Sequence, residues 1–215
     1  GGSGNLGQKI INSKLFNKIF HPKKKSLDLL KSHQIYKFIK QKKIDIIINC
    51  ASIARMKECE KNKSKAINNN ILGTFNLVNS ILKYKRNKRK NVLLIHISTD
   101  AVYPSIKGNY SEDSGLGPYN VYGWTKLSAE YLVKILKDHI IIRTRFYDKK
   151  KIKYKFSASD IFTSQVDIGL IPKYIKYLIL EKYRGVINVG GKRISDYNLY
   201  KKENKKLKPF KRKNL

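Results

Sequence analysis

The sequence predicts an α/β protein built on a doubly wound parallel sheet. Short apolar runs rich in β-branched residues recur along its 215 residues, as expected for strands buried on both faces. Segments with helical spacing of apolar residues alternate with these runs, which favours helices on both sides of the sheet. A glycine-spaced turn precedes the first helical segment, and such turns join strands to helices in sheets of this kind.

The N-terminal part is predicted to hold the turn, a helix, one strand end and a second helix. The turn is Gly1–Gly7, and the first helix continues from it. Lys18–His21 is predicted to end the second strand of the sheet, and Lys31–Lys43 to form a helix. The strand that should precede the glycine turn does not appear, so we expect the chain to lack the first strand of its sheet.

The rest of the chain is predicted to alternate between strands and helices. The strands are Ile44–Asn49, Val92–Ile97, His139–Arg143 and Val186–Val189. The helices are Ser64–Lys85, Tyr119–Lys137 and Ile168–Glu181. We therefore expect a sheet domain over residues 1–146. Residues 147–215 are expected to hold short lobe segments, a return to the sheet over 168–190, and a basic, poorly patterned tail from Lys201.

The net charge of +32 first suggests a polyanionic partner. However, the chain has 39 Lys, 28 Ile and 18 Asn, three amino acids whose codons are rich in A and T, and only 8 Arg. A base-composition bias explains this chemistry, and a surface that reads bases or phosphates would use more Arg. We therefore expect no specific nucleic-acid partner. A positive field would still attract small anionic molecules.

Other compositional features exclude further classes. No apolar run approaches the ~18 residues of a membrane span, and no signal peptide opens the chain, so no membrane partner and a cytoplasmic location are expected. Two cysteines are too few for a disulfide scaffold, and the four histidines do not cluster with metal ligands, so no metal site is predicted. His96 lies inside an apolar strand and is interpreted as a core residue.

The residues that carry chemistry follow the second buried run. Thr99 comes directly after that strand, and Tyr122 and Lys126 are four residues apart, which places them on one helix face. A tyrosine hydroxyl has a pKa near ~10, and a neighbouring ammonium lowers it. Tyr122 is therefore expected to pass a proton to a carbonyl oxygen that Thr99 holds by a hydrogen bond.

Taken in order with the glycine turn and Asn49–Ser52, these residues resemble the extended short-chain dehydrogenase/reductases, and among them the dTDP-4-dehydrorhamnose reductase group. The resemblance covers most of the chain, and its most specific stretches are Gly108–Asp113 and Pro118–Glu130. It implies a Rossmann-like fold with a short C-terminal substrate lobe. It also implies reduction of a 4-keto-6-deoxy nucleotide sugar, with Thr99, Tyr122 and Lys126 as the catalytic residues.

The resemblance further implies the binding residues. Those for the cofactor are Gly1, Gly4, Asn5, Leu6, Gly7, Asp28, Leu29, Cys50, Ala51, Ser52, Asn70, Tyr122 and Lys126. Those for the substrate are Asp100, Ala101 and Arg145. The related 4,6-dehydratases carry an acid at the position of Ala101, so elimination is not expected. Lysines 23–25 stand where an acid would bind a ribose 2′-hydroxyl, so NADP is preferred to NAD.

Two other functions remain open. A nucleotide-sugar epimerase of the same superfamily would share these residues and retain its cofactor. A regulatory subunit that binds NAD(P) without turnover would share the fold, because a preserved fold does not ensure activity. A homodimer also remains open.

Overall fold

The computed structural model describes residues 1–88 and 90–212. Its strands are β1 (Ile46–Asn49), β2 (Leu93–Ile97), β3 (His139–Thr144), β4 (Phe146–Tyr147), β5 (Phe156–Ala158), β6 (Phe162–Thr163), β7 (Val166–Asp167), β8 (Gly185–Val189), β9 (Ile194–Ser195) and β10 (Lys208–Phe210). Its α-helices are α1 (Asn5–Asn12), α2 (Ser32–Lys42), α3 (Met56–Lys61), α4 (Lys63–Ala66), α5 (Gly73–Lys88), α6 (Val121–Lys134), α7 (Ile171–Leu180) and α8 (Asp196–Lys201).

The main sheet has four parallel strands in the order β1, β2, β3, β8. All four correspond to predicted strands. β2 is buried along its whole length, as its continuous apolar sequence predicts. The carboxyl ends of β1 and β2 stand side by side, because Asn49 pairs with His96 in the ladder.

Helices cover both faces of this sheet, since alternate strand residues point to opposite sides. Ile95 and Ile142 pack on one face against α1 and α7, in a core that includes Leu6 and Ile175. On the other face α2 and α5 cover the strands, and a second core contains Ile35, Ile39, Leu77, Ile81, Leu94 and Ile141. The doubly wound α/β fold is therefore confirmed.

Two local predictions are wrong. The structure assigns no strand to Lys18–His21: this segment and β1 both line one cavity and form no ladder with each other. The single helix expected over Ser64–Lys85 is instead interrupted. Asn62 accepts a hydrogen bond from the Lys65 amide and starts α4, and a π-helical turn over Ile67–Leu72 precedes α5.

The region after β3 folds into short paired strands rather than a broad sheet. β4 pairs with β7, β6 pairs with β9, and β10 pairs with β5, so part of the tail expected to be unpatterned is a strand. α7 and β8 return to the main sheet. The division into two domains stays a prediction, and residues 213–215 of the basic tail lie outside the described residues. In the described part of the chain, no helix is long and apolar enough to cross a membrane.

Candidate active site

The glycine turn prepares the start of α1 for an anionic ligand. Gly4 is the N-cap of this helix, and its amide donates a hydrogen bond to the Gly1 carbonyl over 3.1 Å. The N–H groups in the first turn of a helix have no intrahelical partners, and here no described side chain caps them. Such N–H groups and the helix dipole attract phosphate oxygens.

Close packing within the turn requires glycine. A Cβ on Gly7 would lie 2.3 Å from the Gly1 carbonyl oxygen and 2.7 Å from the Gly2 Cα. A larger residue would therefore push the turn away from α1. The bare backbone that results suits a dinucleotide, whose pyrophosphate must approach main-chain N–H groups closely.

A cavity of about 770 Å³ runs from this turn along β1. Its wall includes seven of the predicted cofactor residues: Gly1, Gly7, Asp28, Leu29, Cys50, Ala51 and Ser52. Apolar side chains of α1, α2 and β1 form another part of the wall, including Ile10, Ile35 and Ile47. The volume and the mixture of apolar and polar groups are typical of a cofactor site.

The six other predicted cofactor residues lie off this wall: Gly4, Asn5, Leu6, Asn70, Tyr122 and Lys126. The Leu6 side chain is buried in the core, so its backbone is the part of the residue left to face a phosphate. The Asn5 side-chain oxygen accepts a hydrogen bond from Lys151 Nζ over 2.6 Å. That bond ties the start of α1 to the segment after β4.

Asn70 organises the loop after β1. Its side chain is 1% exposed and exchanges two hydrogen bonds with the backbone of Ile53, at 2.8 and 3.1 Å. It also donates to Thr125 Oγ1 over 2.9 Å. Asn70 thus joins this loop to α6, and its amide is engaged by protein groups rather than turned to the cavity.

Thr99 and Tyr122 come together at the carboxyl end of β2. Thr99 is buried and caps a short 3-10 turn, where its hydroxyl accepts from the Ala101 amide over 3.2 Å. The Thr99 hydroxyl also lies near that of half-buried Tyr122, in the first turn of α6, and lowers its pKa. The pattern of Thr99, Tyr122 and Lys126 thus converges on one place at the end of the sheet.

The protonation of Tyr122 differs from the expectation. Burial raises the pKa of its hydroxyl to about 12, although the neighbouring Thr99 hydroxyl lowers it and the charges of Asp100 and Cys59 raise it further. The predicted lowering of this pKa by Lys126 is therefore wrong. The side-chain nitrogen of Lys126 points towards β2, to His96, and burial outweighs any other influence on the pKa of Tyr122.

Lys126 is enclosed in the protein. The residue is 2% exposed, and its Nζ lies 3.0 Å from His96 Nε2. Burial lowers the pKa of Lys126 to about 8, while Glu130 and Cys50 act in the opposite direction. Cys50 lines the cavity and its charge raises the pKa of Lys126. The Lys126 amine therefore lies near the part of the cavity that Cys50 lines.

The predicted substrate residues lie beside this cluster. Burial raises the pKa of the Asp100 carboxyl, and the charge of Arg145 lowers it. Arg145 is exposed and also lowers the pKa of Asp196, so it stands between two carboxylates. Ala101 is buried because α6 approaches it closely: a Cβ on Gly123 would lie 2.3 Å from the Ala101 carbonyl oxygen.

The sequence reasoning missed a buried polar network behind the site. Arg143 and Glu130 form an ion pair of 2.8 Å with both side chains 1% exposed. Ser98 donates to Glu130 over 2.5 Å, and Arg143 donates to the Tyr103 hydroxyl over 2.9 Å. The signal that could have revealed it was an Arg inside an apolar strand, because a fully buried charge requires a partner.

His96 was interpreted as a core residue, and it is fully buried, but it contacts two polar groups. Its Nε2 faces Lys126, and its Nδ1 lies 3.2 Å from Asn49 Nδ2. Within residues 1–88 and 90–212, no group of three or more His, Cys, Asp or Glu side chains could hold a metal ion.

Comparison with known proteins gives a family match and several relatives. The family described as the RmlD substrate binding domain matches residues 1–157. The chain is 29% identical over 184 residues to dTDP-D-glucose 4,6-dehydratase of Dictyostelium discoideum, covering 79% of this chain and 39% of the relative. It is 34% identical over 103 residues to dTDP-4-dehydrorhamnose reductase of Mycolicibacterium smegmatis, covering 46% and 30%. The chain thus matches less than half the length of these relatives.

A solved structure shows the same fold. The dTDP-4-dehydrorhamnose reductase of Bacillus anthracis, in complex with NADP, superimposes with a TM-score of 0.85 at 23% identity and covers 98% of this chain and 82% of that chain. The family match covers most of the chain and includes the glycine turn, Thr99, Tyr122 and Lys126. The chain therefore belongs to the dTDP-4-dehydrorhamnose reductase-like group of extended short-chain dehydrogenase/reductases.

Proposed function

We propose that this chain reduces the keto group of a 4-keto-6-deoxy nucleotide sugar with NAD(P)H, as a step in nucleotide-sugar biosynthesis. The observation that carries the proposal is the meeting of the Thr99 and Tyr122 hydroxyls, one helical turn from buried Lys126. Two neighbouring hydroxyl groups suit a carbonyl oxygen that must be held and then protonated. Membership of the reductase group supports the same reaction.

Each residue has a defined part in this proposal. The bound nicotinamide would supply the hydride, as in other enzymes of this chemistry. Thr99 holds the keto oxygen, and Tyr122 donates its proton to the oxygen as negative charge develops. A hydroxyl whose pKa is about 12 carries its proton at neutral pH, so Tyr122 begins as the donor that this role requires.

The cofactor would lie along the cavity. Its pyrophosphate would contact the first turn of α1 next to Gly7, and its adenosine part would lie near Asp28 and Leu29. Lys18 and Lys24 also line this cavity, and ammonium groups there favour a ribose 2′-phosphate. We therefore propose NADP as the preferred cofactor, a choice consistent with the NADP bound to the reductase of Bacillus anthracis.

The substrate would enter beside Asp100 and Arg145. Exposed Arg145 offers a charge for the diphosphate of a nucleotide sugar. Ala101 supplies no acid at the position where dehydratases carry one, which supports reduction over the elimination named for the relative in Dictyostelium discoideum. A homodimer and a cytoplasmic location stay predictions.

The test is an absorbance assay at about 340 nm, the nicotinamide band, with a dTDP-linked 4-keto-6-deoxyhexose and either NADPH or NADH. We expect oxidation of NADPH, and a loss of at least ~100-fold in kcat for Tyr122→Phe. Tyr131→Phe is the matched control, because Tyr131 lies on α6 and is 58% exposed; it should keep the wild-type rate. Equal rates for the wild type and Tyr122→Phe would disprove the mechanism.

The same assay separates the alternatives. A regulatory subunit would bind the dinucleotide and oxidise none of it with any keto sugar. An epimerase would convert the sugar with no net change in absorbance. Chromatography of the sugar product and a binding titration with NADPH distinguish these two outcomes from reduction.

A further inference from the structure

The contact between Lys126 and His96 is favourable in only one protonation state of Lys126, and the position of the histidine proton decides which one. Neutral imidazole has one nitrogen that donates a hydrogen bond and one that accepts. An ammonium group has three donors and no acceptor. The 3.0 Å contact between Lys126 Nζ and His96 Nε2 therefore suits the ammonium form when Nε2 accepts, and suits the uncharged amine when Nε2 donates.

Asn49 decides between these two states. The Ala51 amide donates to the Asn49 side-chain oxygen over 3.1 Å, which orients the carboxamide because a backbone N–H cannot accept. The amide nitrogen of Asn49 then faces His96 Nδ1 at 3.2 Å and must donate to it. Nδ1 is consequently the acceptor, and the single proton of the neutral ring lies on Nε2.

That tautomer opposes the ammonium form of Lys126. With its proton on Nε2, His96 points a donor at Lys126, and the uncharged amine supplies the lone pair that accepts it. An ammonium group would place two donors against each other in a site where both residues are buried. Among the described residues, His96 is the one hydrogen-bond partner of Lys126 Nζ.

We propose that His96 is a positioning residue that favours the uncharged amine of Lys126, through a tautomer fixed by Asn49 and the Ala51 amide. The inference rests on the proposed function for its meaning, since Lys126 is one of the proposed catalytic residues. Its evidence is the geometry of the contacts that join Lys126, His96, Asn49 and the Ala51 amide. Protonation of Lys126 must then break one of three hydrogen bonds, and so it is coupled to the backbone of Ala51, which lines the cavity.

Few other charges act on this pair. Glu130, on the same helix, and Cys50, after β1, both favour the ammonium form of Lys126. Burial and the charge of Lys126 hold the pKa of His96 well below its usual range, so the ring stays neutral while Lys126 titrates. A change in the ring signals of His96 near the pKa of Lys126 would therefore report a tautomer shift and not imidazolium formation.

The test is NMR of the full chain labelled with 15N-histidine, without cofactor or substrate. At about pH 9.5, above the pKa of Lys126, we expect His96 to show a protonated Nε2 and an unprotonated Nδ1. As the pH falls through the pKa of Lys126, these two signals should change together. The three other histidines serve as internal references, and His96→Gln assigns the signals by their loss.

Two variants at Asn49 test the role of the tautomer. Asn49→Ala removes the donor to Nδ1, and the isosteric Asn49→Asp offers Nδ1 an acceptor, so both free Nε2 to accept from the ammonium. We expect the pKa of Lys126, followed by the side-chain signal missing in Lys126→Met, to rise by about one unit or more, a tenfold change in acid constant. Asn76→Ala removes another buried amide, bonded to Leu29, and should leave this pKa unchanged.

Two results would overturn the proposal: a protonated Nδ1 in the wild type at high pH, or an unchanged pKa of Lys126 in both Asn49 variants. Because these measurements need no turnover, they are independent of the proposed reductase activity. A chain that reduces no sugar but shows the Nε2 tautomer would contradict the proposed function alone.

Discussion

Two neighbouring parts of the candidate site, the region around β2, β3 and α6 and the region along β1, are stabilised in opposite ways. Around β2, β3 and α6, charged and polar groups are buried and paired with one another, as in the ion pair of Glu130 with Arg143. Along β1, apolar side chains face a cavity, and Ile46 is 39% exposed. The first region holds the proposed catalytic groups in fixed positions. The second leaves room for a ligand at the expense of packing, since an apolar wall without contacts forfeits dispersion energy.

The largest effect is expected where the buried ion pair is broken. Glu130→Ala would leave Arg143 buried without its carboxylate, which costs about 3–5 kcal/mol of unfolding free energy. Glu58→Ala is the matched control, because its 3.0 Å pair with Lys65 is largely exposed and such pairs contribute at most about 1 kcal/mol. Urea denaturation measures both. Equal losses would show that the β2 region has no special dependence on pairing.

The next effect is a pH dependence that originates at Lys126. Burial lowers the pKa of its side chain from 10.5 to about 8, so below pH 8 the folded state carries the full penalty of a buried charge. Between about pH 8 and 10.5 the folded state releases this proton while the unfolded state keeps it, so the stability of the wild type rises with pH.

Lys126→Met removes this titration. The stability of the wild type should therefore rise relative to that of the variant by up to about 3 kcal/mol across that interval, and remain level above it. Thermal or urea denaturation of both proteins at a series of pH values measures the difference. A difference that stays constant from pH 7 to about 10.5 would mean that Lys126 titrates near its ordinary pKa.

The same contrast explains what the sequence could predict. The four main strands were predictable because short, mostly apolar runs such as residues 92–97 are stable when buried in a parallel sheet. Thr99, Tyr122 and Lys126 were singled out by their order and spacing, and their catalytic roles stay a prediction. The contact of Lys126 with His96 and that of His96 with Asn49 could not be predicted in this way. They join residues 30 and 47 positions apart, and the contact of His96 with Asn49 follows from strand register. The same limit hid the pair of Glu130 with Arg143.

The strand predicted to end at Lys18–His21 is absent for a different reason. Strand propensity is a property of a residue together with its neighbours in the sheet, and this segment faces a cavity where a ladder would be needed. Its apolar residues form the same sequence pattern whether the segment joins a sheet or lines a cavity. A local pattern therefore predicts a strand only when the fold also supplies the adjacent strand, a fact outside the segment itself.

The smallest effect is expected at the open edge of the sheet. Ile46→Ala should lower the unfolding free energy by less than about 1 kcal/mol, because Ile46 is already 39% exposed and its truncation creates little new cavity. The same truncation at Ile95, which is fully buried in β2, serves as the reference and should cost about 2–5 kcal/mol. Denaturation curves of the two variants under identical conditions test the contrast directly. A loss at Ile46 as large as that at Ile95 would mean that β1 is packed as tightly as the sheet interior, and that its cavity closes in solution.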